Sequence, residues 1–389
     1  MNDIEKLKKE IREEFPILNN IVYFDNAAQS LKPVSAIEAI KTYYTYESVS
    51  VRTGDTPLGN KINQIYKQTK KKIAQLINSD PEQIIYTSGT TDSLNTFALM
   101  FSQIIKPNKK ILISAYNHSS NMLPWIELAK SRNIQFEITE EILDKIDDNV
   151  QLICLSQSTN NFDVKYNIEE IYTKAQKFGA IVLNDAAQSI THEKVDQNYA
   201  DVIAFSTNKL LGPSGLGILA IKKDLLKKIR PTRFGGGSVH EIAPDGTWIP
   251  KETIQAFEPG TPNIAAIYMF NKSLDLFLRI GYDNIQKILL ELSNYLYEKL
   301  SKLENVEIYS KKGSIITLFN IKNINAQDVA TYLGTKNIYV NAGIFCAPFV
   351  RNIKSERSYV RVSLAIYNNF SDIDKLVNEI ENGGDFYGF

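Results

Sequence analysis

Residues 180–221 read AIVLNDAAQSITHEKVDQNYADVIAFSTNKLLGPSGLGILAI, and two short apolar runs inside them decide the fold. The first, 180–183, delivers Asp185 at a strand end, and the second, 202–205, delivers Lys209 just past the next strand. In a parallel sheet both side chains emerge on one edge, where open α/β folds bind their ligands. A lysine placed there can hold an aldehyde as a Schiff base while a carboxylate keeps a pyridine nitrogen protonated. That pairing is what pyridoxal 5'-phosphate (PLP) chemistry requires. Gly212, Pro213, Gly215 and Gly217 predict a tight, irregular turn that fixes the lysine's approach. A surface lysine and a helix-capping aspartate are the bland alternative, so the rest of the chain has to decide.

Outward from this stretch, β-rich runs at 84–87, 110–114, 152–156, 180–183, 202–205 and 217–221 alternate with longer helical stretches such as 62–77 and 168–178. The alternation predicts an α/β fold with a mostly parallel sheet covered by helices on both faces. Leu7, Ile11 and Phe15 recur at helical spacing before Pro16, which predicts a short N-terminal helix and a break. From about residue 265 come two long helical patterns, runs at 306–309 and 314–321, a helix near 326–333, a run at 359–366 and a terminal helix from Ser371. That order suits a smaller α+β domain. The expected division is a large domain over 21–264, with 1–20 and 265–389 forming the small one.

The 389 residues include 44 Lys+Arg and 44 Asp+Glu, so there is no overall basic field of the kind that draws nucleic acid. Two cysteines cannot build a disulfide framework, and the start MNDIEKLKKE lacks the apolar core of a signal peptide. A cytoplasmic location is therefore expected. No apolar run approaches the roughly 18 residues of a membrane span, and neither membrane nor nucleic-acid partners are expected. Three histidines and two cysteines show no metal-ligand spacing, so no metal is expected.

SGTTDSLN (88–95) follows the run 84–87, which sets Gly89, Thr90 and Thr91 at a strand-to-helix turn. Free N–H groups, the helix dipole and the threonine hydroxyls make a phosphate cradle there, although either threonine also suits a plain N-cap. Ser206, three residues before Lys209, offers a phosphate donor from the same edge, and Gln188 can reach the cofactor's phenolic oxygen. His118, after the run 110–114, can stack on a pyridine ring and relay protons.

With these groups converging, the chain resembles the class V aminotransferase family of fold-type I PLP enzymes, and most closely its group II cysteine desulfurases. The resemblance runs through YFDNAAQSLKP (23–33), SGTTDSLN, HSSNMLPW (118–125), DAAQ, FSTNKLLGPSGLG, FGGGSV (234–239), FEPGTPN (257–263), GIFCAP (343–348) and VRVSLAIYN (360–368). It implies a large domain with a seven-stranded, mostly parallel sheet, and a smaller α+β C-terminal domain. It also implies PLP bound to Lys209, ring pairing by Asp185, stacking by His118 and contacts from Asn160 and Gln188 to the cofactor oxygen. Thr90 and Ser206 would hold the phosphate, and Thr261 would reach the phosphate of the neighbouring subunit in a homodimer. Arg361 would take the substrate carboxylate, for which a guanidinium fork is apt.

In such a desulfurase Cys346 attacks the substrate sulfur, leaving alanine and an enzyme persulfide for a sulfur-acceptor protein in iron–sulfur cluster or other thio-cofactor assembly. L-cysteine or selenocysteine would be the substrate. The chain departs from the family where an arginine and two histidines usually precede the cysteine: it has Asn341, Ile344 and Phe345. Ser119 and Asn208 also replace histidines, and Asp55 stands near where another is usual; Asn208 can still supply an amide donor. A selenocysteine lyase, a carbon–sulfur lyase, an aminotransferase or a non-catalytic scaffold are the alternatives.

Overall fold

The computed structural model describes residues 3–50 and 55–383, and the chain divides into two compact units. The larger comprises 35–157 and 166–276, the smaller 1–34, 158–165 and 277–389. These bounds differ from the expected domains 21–264 and 1–20 with 265–389. The division falls within the helix Ile264–Ile280, and residues 21–34 go with the smaller unit because Val22–Tyr23 pairs in parallel with Ile338–Tyr339. Residues 158–165 join it through Asn160, which is bonded to Arg361 and Phe345. Residues 1–2, 51–54 and 384–389 of those expected domains lie outside the described residues.

The larger unit is built on a seven-stranded sheet. Val202–Ser206, Ile181–Asp185, Val150–Leu155, Lys110–Ser114 and Gln135–Thr139 lie side by side in that order and run parallel. Gly217–Ile221 is antiparallel to Val202–Ser206, and Ile84–Thr87 is antiparallel to Gly217–Ile221 at the sheet edge. The central strands read as unbroken apolar runs because both of their faces are buried. Gln135–Thr139 sits on the opposite edge with Gln135 and Phe136 exposed, which is why its mixed sequence gave no run to read.

The helix Ile168–Phe178 shows how local sequence sets an element. Asn167 accepts the Glu170 N–H at 3.2 Å, acidic Glu169 and Glu170 face the dipole, and Gly179 ends the helix at φ +68°. Its Ile171 and Ala175 bury against Leu112, Ile153, Leu155 and Val182 of the sheet. Each such aliphatic side chain larger than alanine contributes about 1.5–3 kcal/mol.

Pairing register fixes what meets at the carboxyl edge of the sheet. Thr87 and Ser206 each face Gly217 from opposite sides, and Asp185 pairs with Ala204 one strand further on.

In the smaller unit a four-stranded antiparallel sheet runs in the order Val306–Ile308, Ile316–Ile321, Tyr359–Ser363, Asn341–Gly343. The N-terminal helix Asp3–Glu13 appears as its spacing predicts, followed by a short turn at Pro16–Asn19. Arg12 forks onto Asp372 at 2.8 and 3.0 Å, tying that helix to the start of the last one, Phe370–Asn382. Among the described residues no helix is long and apolar enough to cross a membrane.

Candidate active site

The candidate residues form two clusters, one in each unit. In the larger unit Lys209 ends a single turn, Thr207–Lys209, directly after the strand Val202–Ser206. Thr207, which the sequence reading passed over, organises the segment. Its N–H donates to Leu216 O at 3.1 Å, its hydroxyl lies 2.7 Å from Pro213 O, and its carbonyl accepts Leu210 N and Gly212 N at 2.9 Å. Gly212 fits because a Cβ there would lie 2.7 Å from the Phe270 ring and 2.8 Å from the Thr207 carbonyl. The lysine is thus aimed by a turn whose backbone is bonded on both sides.

Asp185 ends its strand with 4% exposure and accepts the Ala187 N–H at 3.1 Å. Burial pushes its carboxyl above the ordinary range, while the nearby Lys209 ammonium and the Ala187 N–H pull the other way. A buried carboxylate beside a lysine, short of full compensation, fits a protonated pyridine nitrogen. Because the folded-state value is raised, this group's contribution to stability falls, relative to the unfolded chain, as pH rises from about 4 through that value. Asp185→Asn is therefore expected to raise the stability of the cofactor-free protein at pH 7 by about 1–3 kcal/mol, the cost of a poorly compensated buried polar group. The pH dependence over that window should flatten by the same amount, measured by urea unfolding of both proteins. PLP-dependent turnover should nevertheless be lost.

The residues of SGTTDSLN expected to cradle a phosphate lie against Ser206 and Gly217. At the start of the helix Thr90–Phe101 the Ser206 hydroxyl accepts the Thr90 N–H at 2.6 Å and lies 2.7 Å from Thr90 Oγ1. A Cβ on Gly217 would lie 2.5 Å from Gly89 N, and one on Gly89 would lie 3.3 Å from Ser206 Oγ. Backbone and hydroxyl donors therefore crowd one spot at a helix N-terminus, as a bound phosphate requires. Thr91 instead places its hydroxyl 2.8 Å from Ser120 Oγ. Asn208 sits half-buried on the lysine turn, and Gln188 is buried three residues beyond Asp185.

His118 caps the turn Ser119–Asn121, its Nδ1 accepting Ser120 N–H at 3.1 Å, so the neutral ring carries its proton on Nε2. Asn117 and Asn121 sew this segment to the neighbouring strand through Cys154 O at 2.9 Å and Leu155 O at 3.1 Å. Thr261 is exposed. Its segment is anchored by Glu258, which accepts Tyr86 N at 2.7 Å, Tyr66 OH at 2.5 Å and Lys70 Nζ at 2.9 Å.

The second cluster surrounds Arg361, 2% exposed in the strand Tyr359–Ser363. Its Nη2 meets Asp25 Oδ1 at 2.7 Å, its Nη1 donates to Asn160 O at 2.9 Å, and the Phe345 ring lies 4.4 Å above the guanidinium. Asn341, opposite Arg361 in register, donates to Asp25 Oδ2 at 2.9 Å. Burial lowers the Arg361 pKa, opposed first by Asp25 and more weakly by Cys346 nearby. The Asn160 amide, expected on the cofactor, donates to Phe345 O at 2.7 Å. Cys346 is exposed, whereas Cys154 lies buried in its strand. Asp25 goes unassigned in the sequence, although it stands in YFDNAAQ two residues after the short strand Val22–Tyr23; Phe345 figures there only where a histidine is usual.

A lysine and a buried carboxylate at the carboxyl edge of a mostly parallel sheet, with hydroxyl and backbone donors gathered at a helix N-terminus, define a cofactor-handling α/β enzyme class. The sequence model of the aminotransferase class-V family matches residues 22–376, and the chain belongs to that family. A curated protein of Ureaplasma parvum serovar 3, named a probable cysteine desulfurase, is 32% identical over 95% of this chain and 96% of its own. One of the same name from Halalkalibacterium halodurans is 33% identical over 97% and 98%. Among solved structures, the cysteine desulfurase of Thermococcus onnurineus NA1 in its apo form matches with a TM-score of 0.92 at 30% identity, over 96% of this chain and 97% of that one. The cysteine desulfurase CsdA of Escherichia coli, in S-sulfonic acid form, matches at 0.90 with 27% identity over 96% and 98%.

Proposed function

We propose that the chain is a PLP-dependent cysteine desulfurase that converts L-cysteine to L-alanine and takes the sulfur onto Cys346. The observation that carries this reading is an exposed thiol on the turn beside a buried arginine, in a chain whose other cluster fits PLP. The similarity to proteins named cysteine desulfurase over nearly the whole chain supports it. When bound, PLP supplies an electron sink for charge developing at the amino acid's α-carbon.

The chain's own residues do the remaining work. Lys209 would hold the cofactor through its amine and carry the α-proton, Asp185 would keep a proton on the pyridine nitrogen, and His118 would stack on the ring. Thr90, Ser206 and the N–H groups after Gly89 would hold the phosphate, with Gln188 and Asn208 as further donors. Arg361 orients the substrate carboxylate by charge-assisted hydrogen bonds. The Cys346 thiolate attacks the substrate sulfur: the Sγ–Sγ bond forms, the Cβ–Sγ bond breaks with its electron pair left on carbon, and a proton completes the methyl group of alanine. One thiol and one L-cysteine thus become one persulfide and one L-alanine. The persulfide sulfur then passes to an acceptor protein for iron–sulfur cluster or other thio-cofactor assembly.

The test is to incubate the PLP-loaded protein with L-cysteine and measure alanine and protein-bound persulfide together. Equal amounts in the first turnover are expected. Pyruvate with ammonia, or amine transfer to a 2-oxo acid, would move the function to a lyase or an aminotransferase. A protein that binds no PLP would be a scaffold.

The active form is expected to be a homodimer, with the exposed Thr261, held out on a segment anchored by Glu258, completing the partner's phosphate site. Sedimentation should give twice the chain mass, and Thr261→Ala should weaken PLP binding roughly tenfold to hundredfold, as loss of one hydrogen bond to a charged group does. A fully active monomer would reject this.

A further inference from the structure

The Nε–H of Arg361 is buried and has no hydrogen-bond partner, although Asp25 and the Asn160 carbonyl hold the two other nitrogens. A buried cationic donor left one bond short is unfavourable, and a carboxylate is the acceptor that fits it best. Phe345 covers this guanidinium, its ring centroid 4.4 Å from Cζ. The covering residue is itself held in an unusual conformation. Phe345 and Cys346 both have φ +56°, a left-handed pair that side chains larger than glycine's adopt at a cost. The Asn160 amide holds the Phe345 carbonyl at 2.7 Å, and the buried Ala347 follows directly.

We propose that Phe345 is the gate of the carboxylate site: its ring closes the guanidinium of Arg361, and substrate binding displaces it by relaxing the Phe345–Cys346 turn, which re-aims the thiol in the same movement. The proposal rests on the reading of Arg361 as carboxylate anchor and Cys346 as sulfur acceptor. Opening exchanges a ring contact for hydrogen bonds to a charged donor and releases a strained turn. Arg361 itself stays put, because Asp25 grips it and Asn341 grips Asp25 at 2.9 Å. The thiol is thereby re-aimed only when a carboxylate occupies the arginine, which discriminates against thiols that lack one.

The experiment compares PLP-loaded wild type, Phe345→Ala and Phe345→Tyr. It measures L-alanine affinity by titration calorimetry, KM for L-cysteine, and the rate of Cys346 alkylation by iodoacetamide with and without L-alanine. Buried Cys154 does not interfere. Phe345→Ala should bind L-alanine about threefold to thirtyfold more tightly, the worth of one ring–guanidinium contact, and lower KM in step. L-alanine should change the alkylation rate of wild type and leave that of Phe345→Ala unchanged. Phe345→Tyr keeps the ring and should follow wild type. Unchanged or weaker L-alanine binding by Phe345→Ala overturns the gate, as does wild-type alkylation that ignores L-alanine. A wild type that yields no alanine from L-cysteine overturns the desulfurase reading instead, while the binding and alkylation measurements still decide the gate.

Discussion

Cys346→Ala should bind L-cysteine as well as wild type does and release almost no sulfur, with alanine production down roughly 10³-fold or more, the scale set by removing an enzyme's nucleophile. Arg361 keeps Asp25 and the Asn160 carbonyl, and the Lys209 cluster is untouched, so binding and chemistry separate. Cys154 cannot substitute, because it is wholly buried and burial holds its thiol protonated. The exposed position limits the stability change to about 0.5 kcal/mol, so a lost signal is not an unfolding artefact. Alanine and sulfide are measured in the same reaction under a thiol reductant. Undiminished alanine from the variant would rule out the desulfurase mechanism and favour a lyase or an aminotransferase.

Lys209→Ala should lose the covalent attachment of PLP and cut turnover by on the order of 10²–10⁴-fold through loss of the proton carrier, while the fold persists. The lysine turn is shaped by Thr207 and Gly212, not by the lysine, so its geometry should survive. Borohydride reduction followed by mass spectrometry should place the cofactor mass on Lys209 in wild type and nowhere in the variant. Lys32 is the competitor to exclude, since burial pulls its pKa down to about 7 and leaves it more nucleophilic than an ordinary lysine. Cofactor found there, or on any other lysine of wild type, would reject the assignment.

Much of the larger unit was legible because its chemistry is carried by strand ends. A buried parallel strand is an unbroken apolar run, and the polar residue that ends it is visible at once, as with Asp185 and Ser206. Gln135–Thr139 escaped because an edge strand need not be apolar. The hairpin Val239–Ile242 with Trp248–Pro250 escaped for a related reason: its residues are largely exposed, so no burial pattern marks it. The surroundings of Arg361 were less legible, since Asp25, Asn160, Asn341, Phe345 and Arg361 meet only through tertiary contact. Asn160 illustrates the limit. Its residue type suits a cofactor contact, yet its amide holds a loop carbonyl, and no local pattern encodes that choice.

Strand pairing in this fold also orders events in time. Ile84–Thr87 has its sheet partner at Gly217–Ile221, and Val22–Tyr23 has its partner at Ile338–Tyr339. At synthesis rates of about 5–20 residues per second, the first edge waits on the order of ten seconds for its neighbour to leave the ribosome. Over that interval the nascent chain carries an unpaired strand and lacks Gly217, so it cannot assemble the phosphate cradle. Asp25 waits longer still, until Arg361 has been made. A chain terminated before Gly217 is therefore no partial enzyme: it lacks one wall of the turn at Gly89, has not reached Cys346, and leaves Ile84–Thr87 without its sheet partner.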